Sequence, residues 1–428
     1  MAIVNDDELN EFLSKRNYDV RKSGNARWID QKCTPDVVSI IADCISSFSE
    51  ETKSLEFTSR DIWYSKYAQE NVQEIFKKPA TNNSKAKNEY DKFFQQPMEL
   101  LSYSGVLSKI KKGRENFYSI IDIKILYFIS LSEKNALKFL QCYIEKVLKD
   151  TGIFSTFKDF FDEPSEANFS SVKSTFTNMT ITYTKINHNT ETWRIFTKVL
   201  NPLSFKYNTY GTERGVLSRN LITYDMLMYN RDNFRDIYSL KPKNVTRKAH
   251  LSNRKNSLNK AYVKYESQKS KRFIRAFNDK YRNEKSEIDP STTTDIATTI
   301  HHIFPESNFP QICGYYENLI ALTPTQHYNY AHSNFNTQTI NIDFQYKCLV
   351  VKMQNIFKNL KSNSEEHIYS KERLLKVLDV GLRTNEFEKN NNVTYDGLLE
   401  LINKYYPNVK NKILPNKTNL APSNNNIC

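Results

Sequence analysis

Nine glycines among 428 residues leave this chain few places to turn sharply. A sandwich or barrel of many short strands needs a tight turn every few residues, and such turns draw on glycine for positive φ. Thirteen prolines do not make up the deficit. Apolar residues must then be buried mainly along helices. Residues 36–48, "DVVSIIADCISSF", place Val37, Val38, Ile41, Ile45 and Phe48 on one helical face. A second helix is expected to start near Ser59. Residues 133–149 carry Ala136, Phe139, Leu140, Tyr143, Ile144, Val147 and Leu148 on one side, and Asp150-Thr151-Gly152 ends that helix. "TWRIFTKVL" reads as a helix stopped at Asn201-Pro202, and further helices are expected over 342–360, 371–382 and 395–406. Residues 160–190 are rich in Ser, Thr and Asn and show no clear period. "YGTERG" (210–215) reads as a loop with ordinary turn chemistry, a phosphate contact being the alternative. The expected fold class is α+β, mainly helical.

Strand signals are few. After "NEYDKFFQQPMELLSYSGVL", whose helical pattern closes near Gly105, comes "LSKIKKGRENFYSIID". That is a strand, a charged turn at Lys112-Gly113-Arg114, and a second strand. Helix, helix and basic-tipped hairpin is the order of a winged helix, although any small α+β unit would give the same signal. Residues 1–150 are thus expected to form a helical, winged-helix-like recognition domain with Lys111, Lys112 and Arg114 facing DNA. Residues 151–240 form a mixed middle region.

The net charge is +13, and its location matters more than its size. Residues 241–285 hold fifteen Lys or Arg against Glu266, Asp279 and Glu284, nearly the whole excess. Concentrated positive charge suits a polyanion. The segment has no glycine, and Leu258, Tyr262, Tyr265, Phe273, Phe277 and Tyr281 recur at helical intervals. A basic helical segment over 241–290 follows, with Lys248, Arg254, Lys255, Lys264, Lys269, Lys271, Arg272 and Arg275 as candidate phosphate contacts; a surface helix packed by its aromatics is the plain alternative. No apolar run approaches a membrane span of about 18 residues. The start, "MAIVNDDELNEF", lacks a signal-peptide layout, and the six cysteines form no C-x-x-C pair. The expectation is a cytoplasmic protein without structural zinc. The tail, 411–428, is expected to be disordered.

Four of the seven histidines fall in "IHHIFPESNFPQICGYYENLIALTPTQHYNYAH" (300–332). "ATTIHHIFP" and "NLIAL" read as short strands. Thr323, Pro324 and Gln326 make a capping-box start to a helix. Adjacent strand residues face opposite ways, so His301 and His302 need either a bend or different partners to be useful together. His327 lies in the first helical turn, nine residues after Asn318. Imidazole suits proton removal at neutral pH and also metal ligation. His188, His250 and His367 stand alone and read as structural.

His-His-Ile-x-Pro, Glu-Asn-Leu-Ile-x-Leu and a helical His nine residues after the Asn resemble the ββα-metal signature of HNH nucleases over roughly 300–337. The resemblance extends to type II restriction endonucleases with an HNH site. It implies a ββα-metal nuclease core over 291–340; the helices expected from periodicity make up the C-terminal part, 341–410. It also implies that His301 and His327 bind one divalent ion, that His302 is the general base, and that Asn318 orients it. The ion implied is Mg²⁺, with Mn²⁺ able to substitute. The reaction implied is site-specific hydrolysis of double-stranded DNA to 5′-phosphate and 3′-hydroxyl ends. Partners would be DNA, a second copy of the chain in a homodimer, and, functionally, a cognate DNA methyltransferase. Some members carry another ligand four residues after the helical His; here that position is Ala331. His332, one further on, would be rotated by about 140° on an α-helix, which argues against it as a ligand. Competing readings are a homing or phage-defence nuclease of looser specificity, a DNA-binding regulator with an inactive module, and a PD-(D/E)xK site on "IDIK" (Asp122, Lys124).

Overall fold

In the computed structural model, the structure describes residues 4–76, 78, 87–229, 244, 246, 260–288, 295–331, 341–363, 366–389 and 394–409. The chain divides into two compact units, residues 2–262 and 263–428. Helices dominate both, and the sheets are small, so the fold is α+β and mainly helical.

The first unit opens with α1 (Asp6–Ser14), α2 (Val20–Ser23) and α3 (Pro35–Thr52). Next come β1 (Phe57–Thr58), α4 (Ser59–Tyr64), α5 (Lys66–Phe76), α6 (Lys87–Ser104), β2 (Leu107–Lys112) and β3 (Glu115–Ile120). It continues with α7 (Ile123–Leu131), α8 (Glu133–Thr151), α9 (Phe154–Asp162), α10 (Glu166–Tyr183), α11 (Asn189–Lys206), β4 (Tyr210–Glu213) and β5 (Val216–Leu221).

The helix expected over 36–48 is longer than its period suggested, and it is not one-faced. Ile40, Ala42 and Cys44 are buried along with Val37, Val38, Ile41 and Ile45. The reason is that α3 runs through the middle of the unit, packed against α5, α6, α7 and α8. By contrast, all seven apolar residues expected on one side of α8 are buried, and Gly152 closes that helix in the left-handed conformation.

Pro202 does not stop α11, which runs on to Lys206. The preceding Asn201 is tied to β4, accepting from Thr212 N at 2.8 Å and donating to Thr212 O at 3.0 Å. Gln141 Nε2 donates to Pro202 O at 2.9 Å. These tertiary bonds hold the helix through a residue that lacks its own N–H. "YGTERG" closes a hairpin rather than a loop: β4 pairs with β5 across Arg214 and Gly215, both at positive φ. Strands β2 and β3 pair in full register from Leu107↔Ile120 to Lys112↔Glu115, and β1 adds to β3, giving the order β1-β3-β2.

The second unit holds most of α12 (Lys260–Arg282), then β6 (Thr299–His302), β7 (Leu319–Leu322), α13 (Ile342–Lys361), α14 (Lys371–Leu382) and α15 (Tyr395–Tyr405). Tyr265, Phe273 and Phe277 of α12 are buried, so the aromatic stripe is its packing face. No described helix is long and apolar enough to cross a membrane. The described cysteines form no disulfide. The expected disordered tail and the basic stretch before residue 260 lie outside the described residues, apart from residues 244 and 246.

Candidate active site

β6 and β7 form a two-stranded antiparallel ribbon with His301 opposite Ile320 and His302 opposite Leu319. Ala321 donates to Glu287 Oε1 at 3.1 Å and accepts from Glu287 N at 3.0 Å. Residues 286–288 therefore cover the outer edge of β7. The turn after β7 begins as its sequence suggests. Thr323 Oγ1 accepts from Gln326 N, and Gln326 Oε1 accepts from Thr323 N, both at 3.1 Å. Gln326 also accepts from Ser286 Oγ and donates to Ile288 O, which locks the turn to the same covering segment.

Within this turn, Gln326–Ala331 is π-helical. The rotation that argues against His332 assumes α-helical geometry, whereas a π-turn repeats every five residues rather than four. His332 itself lies outside the described residues.

The two adjacent histidines meet different partners. His301 is buried, and its ring lies 5.1 Å from that of half-buried His327, centroid to centroid, at 72°. His302 is also buried, and its Nε2 lies 3.0 Å from Cys313 O. A carbonyl can only accept, so Nε2 carries the proton and Nδ1 keeps the lone pair of the neutral ring. Burial, and next the charge of Lys271, lower the His302 pKa to about 4, although the Cys313 bond pulls the other way. His302 is consequently neutral near pH 7.

The carbonyl that meets His302 is itself held in place. Ser270 Oγ donates to Gly314 O at 2.9 Å, and Phe273 of α12 stacks on Tyr316 at 4.5 Å. Asn318, fully buried, accepts from Phe304 N at 2.8 Å and donates to Phe304 O at 2.9 Å. It also reaches Ile312 O at 3.4 Å. Asn318 thus pins both ends of the loop between the strands, and its described bonds go to backbone rather than to the His302 ring.

The spacing of His301 and His327 is compatible with a shared metal ion and equally with edge-to-face packing of the two rings. Two imidazoles bound at about 2.0–2.1 Å to one tetrahedral ion would place their ring centres roughly 5 Å apart, close to the observed 5.1 Å. Among the described residues no group of three His, Cys, Asp or Glu side chains converges on such a point.

The expected basic contacts separate into several groups. Lys264 and Arg275 are exposed on α12, and Lys271 and Arg272 are half-buried. Lys269 is 5% exposed, its Nζ 3.3 Å from Tyr265 Oη, so its charge is turned inward. Lys111, Lys112 and Arg114 are exposed at the β2–β3 turn, where Lys112 also pairs with Glu56. Lys248, Arg254 and Lys255 lie outside the described residues. Asp122 caps α7 and Lys124 pairs with Glu8, so both residues of "IDIK" have local structural partners.

Sequence reasoning missed the Cys313 carbonyl, which has no side-chain signature. It also missed the buried Glu287–Lys352 pair, with Nζ and Oε1 3.2 Å apart. A lysine on the apolar stripe Leu349–Met353–Ile356 was the available signal. No family model matches this chain, and neither a curated protein nor a solved structure matches it.

Proposed function

We propose that this protein is an HNH-type DNA endonuclease of the type II restriction class, cutting double-stranded DNA at a specific site to leave 5′-phosphate and 3′-hydroxyl ends. The observation that carries the reading is the division of labour at the end of β6. One imidazole is paired ring-to-ring with His327, while the next has its Nε2–H engaged by a carbonyl. In this reading the strand–strand–turn unit is a ββα-metal module.

His302 takes the proton of the attacking water on Nδ1, since its other nitrogen is committed to Cys313 O. A buried imidazole with a depressed pKa is ready in its neutral form but is a weak base. A phosphate brought beside it raises its proton affinity, because opposite charge favours the protonated ring. Asn318 keeps the Cys313 loop in register, which maintains the tautomer. His301 and His327 would hold one divalent ion. When bound, that ion stabilises charge on the phosphate and on the leaving 3′ oxygen. Mg²⁺ is the working ion proposed, yet two imidazole donors are better suited to Mn²⁺ or a later transition ion.

The DNA-reading part of the proposal rests on the first unit. Helix α3, strand β1, helices α4 to α6 and the β2–β3 hairpin, with sheet order β1-β3-β2, follow the winged-helix order, and the exposed basic turn supports its reading as the wing. The deciding experiment is digestion of a plasmid of known sequence with Mg²⁺, Mn²⁺ or Ni²⁺, followed by sequencing of the ends. A discrete fragment set with 5′-phosphates is expected. Intact plasmid under every ion would reject the proposal.

A further inference from the structure

A cavity of about 280 Å³ lies between α12 and β6, lined by Lys271, Arg272, Arg275, Thr298, Thr299 and Ile300. Three of its six lining residues are cationic. Its strand side is the edge of β6 turned away from β7, which pairs with no other strand among the described residues. Ala321 bonds outward to Glu287 through both its N–H and its C=O, so the facing pair Ile300–Ala321 is a non-hydrogen-bonded one. In an antiparallel pair, backbone groups at such a position point away from the partner strand. The amide of Ile300 is thus directed to the edge that borders the cavity. Arg275 donates to Thr298 O on that same edge. A guanidinium has five N–H donors in a planar fork, so this bond orients Arg275 and leaves most of its donors for another acceptor.

Cations, an oriented guanidinium and an edge amide converging on one small cavity make a receptor for a tetrahedral oxyanion. Its position suggests which one. Ile300 and His302 are two residues apart on β6, about 7 Å along the strand, the scale of one step along an extended nucleic-acid backbone. Lys271 lines the cavity and also lies within electrostatic reach of His302. Ile300, which lines the cavity, and His302 also place their side chains on the same face of β6, because they are two residues apart.

We infer that this cradle takes a backbone phosphate of the cut DNA strand, the neighbour of the phosphate presented to His302. The inference rests on the nuclease reading and deepens it: it assigns register on the strand to three side chains and one amide, not to the basic segment as a whole. Lys358 provides the contrast, being exposed in the same unit but outside the cavity.

The test uses the full chain with His302→Ala to prevent cutting, and measures duplex DNA affinity against salt. Each phosphate contact contributes about 0.9 to the slope of log affinity on log salt. Arg275→Gln should lower the slope by about that amount, Arg275→Lys should restore most of it, and Lys358→Gln should leave it unchanged. Equal losses from Lys358→Gln and Arg275→Gln would mean diffuse attraction and overturn the cradle. Inorganic pyrophosphate is the DNA-free probe, read by ³¹P line broadening that Arg275→Gln should abolish. If wild-type protein cuts DNA but Arg275→Gln matches its parent in both assays, the cradle falls and the nuclease reading survives. If Arg275→Gln abolishes the broadening but the wild-type chain neither binds nor cuts DNA, the nucleic-acid occupant is overturned together with the nuclease reading.

Discussion

The two neighbouring histidines differ in what their rings touch, and substitution should separate them. His302→Ala removes the candidate base and leaves His301 and His327 in place. Single-turnover cleavage should fall by about 10²–10⁴-fold, while the shift in melting temperature on adding Mn²⁺ or Ni²⁺ persists. His301→Ala should lose that shift, and its cleavage should recover in part at high metal concentration. Asn318→Ala should be intermediate, since it loosens the loop that carries the Cys313 carbonyl without deleting the ring. If metal rescues His302→Ala but not His301→Ala, the two roles are reversed. The residues of this site could be read from spacing because each is a side chain at a fixed offset from a strand or cap. The carbonyl opposite His302 could not, since every residue type has one, and only the fold selects Cys313.

At the level of elements, the covering segment 286–288 is as important as the strands it covers. Glu287 is fully buried among Lys352, Arg282, Asn355 and the Ala321 amide. Burial alone would raise its pKa, but Lys352, Arg282 and the hydrogen bonds outweigh burial and hold the carboxyl below the usual glutamate range. A depressed native pKa contributes stability above the unfolded value of about 4.3, and that stability is lost as pH falls below it. Glu287→Gln should therefore flatten the acid limb of the stability curve. At neutral pH it should cost about 3–5 kcal/mol, because Lys352 stays buried without its counter-charge. Adding Lys352→Met should recover part of the loss; chemical denaturation from pH 3 to 8 would show both effects, and an unchanged acid limb would count against the pairing. Elements with one buried face, such as α8, were legible from periodicity. Helix α3 was not fully so, because burial on several sides erases the contrast on which periodicity depends. The passage of α11 through Pro202 depends on Asn201 meeting β4, and the π-turn at Gln326 has no repeat in "QHYNYA".

On the scale of the whole molecule, the division near residue 262 falls inside α12, so a cut meant to separate the units belongs upstream of Lys260. A fragment of residues 260–409 should melt cooperatively and keep its metal-dependent shift, followed by circular dichroism. A non-cooperative melt would show that the second unit needs the first. Within that unit the strands bearing the histidines have four residues each. A ribbon that short is marginal in water by itself. Its histidines owe their geometry to a glutamate from before β6, serines on α12 and before β6, and an asparagine at the start of β7. The arrangement is therefore poor cargo for transplantation: a loop-sized graft of residues 295–331 would carry the three imidazoles but leave behind most of the scaffolding that gives each its own surroundings.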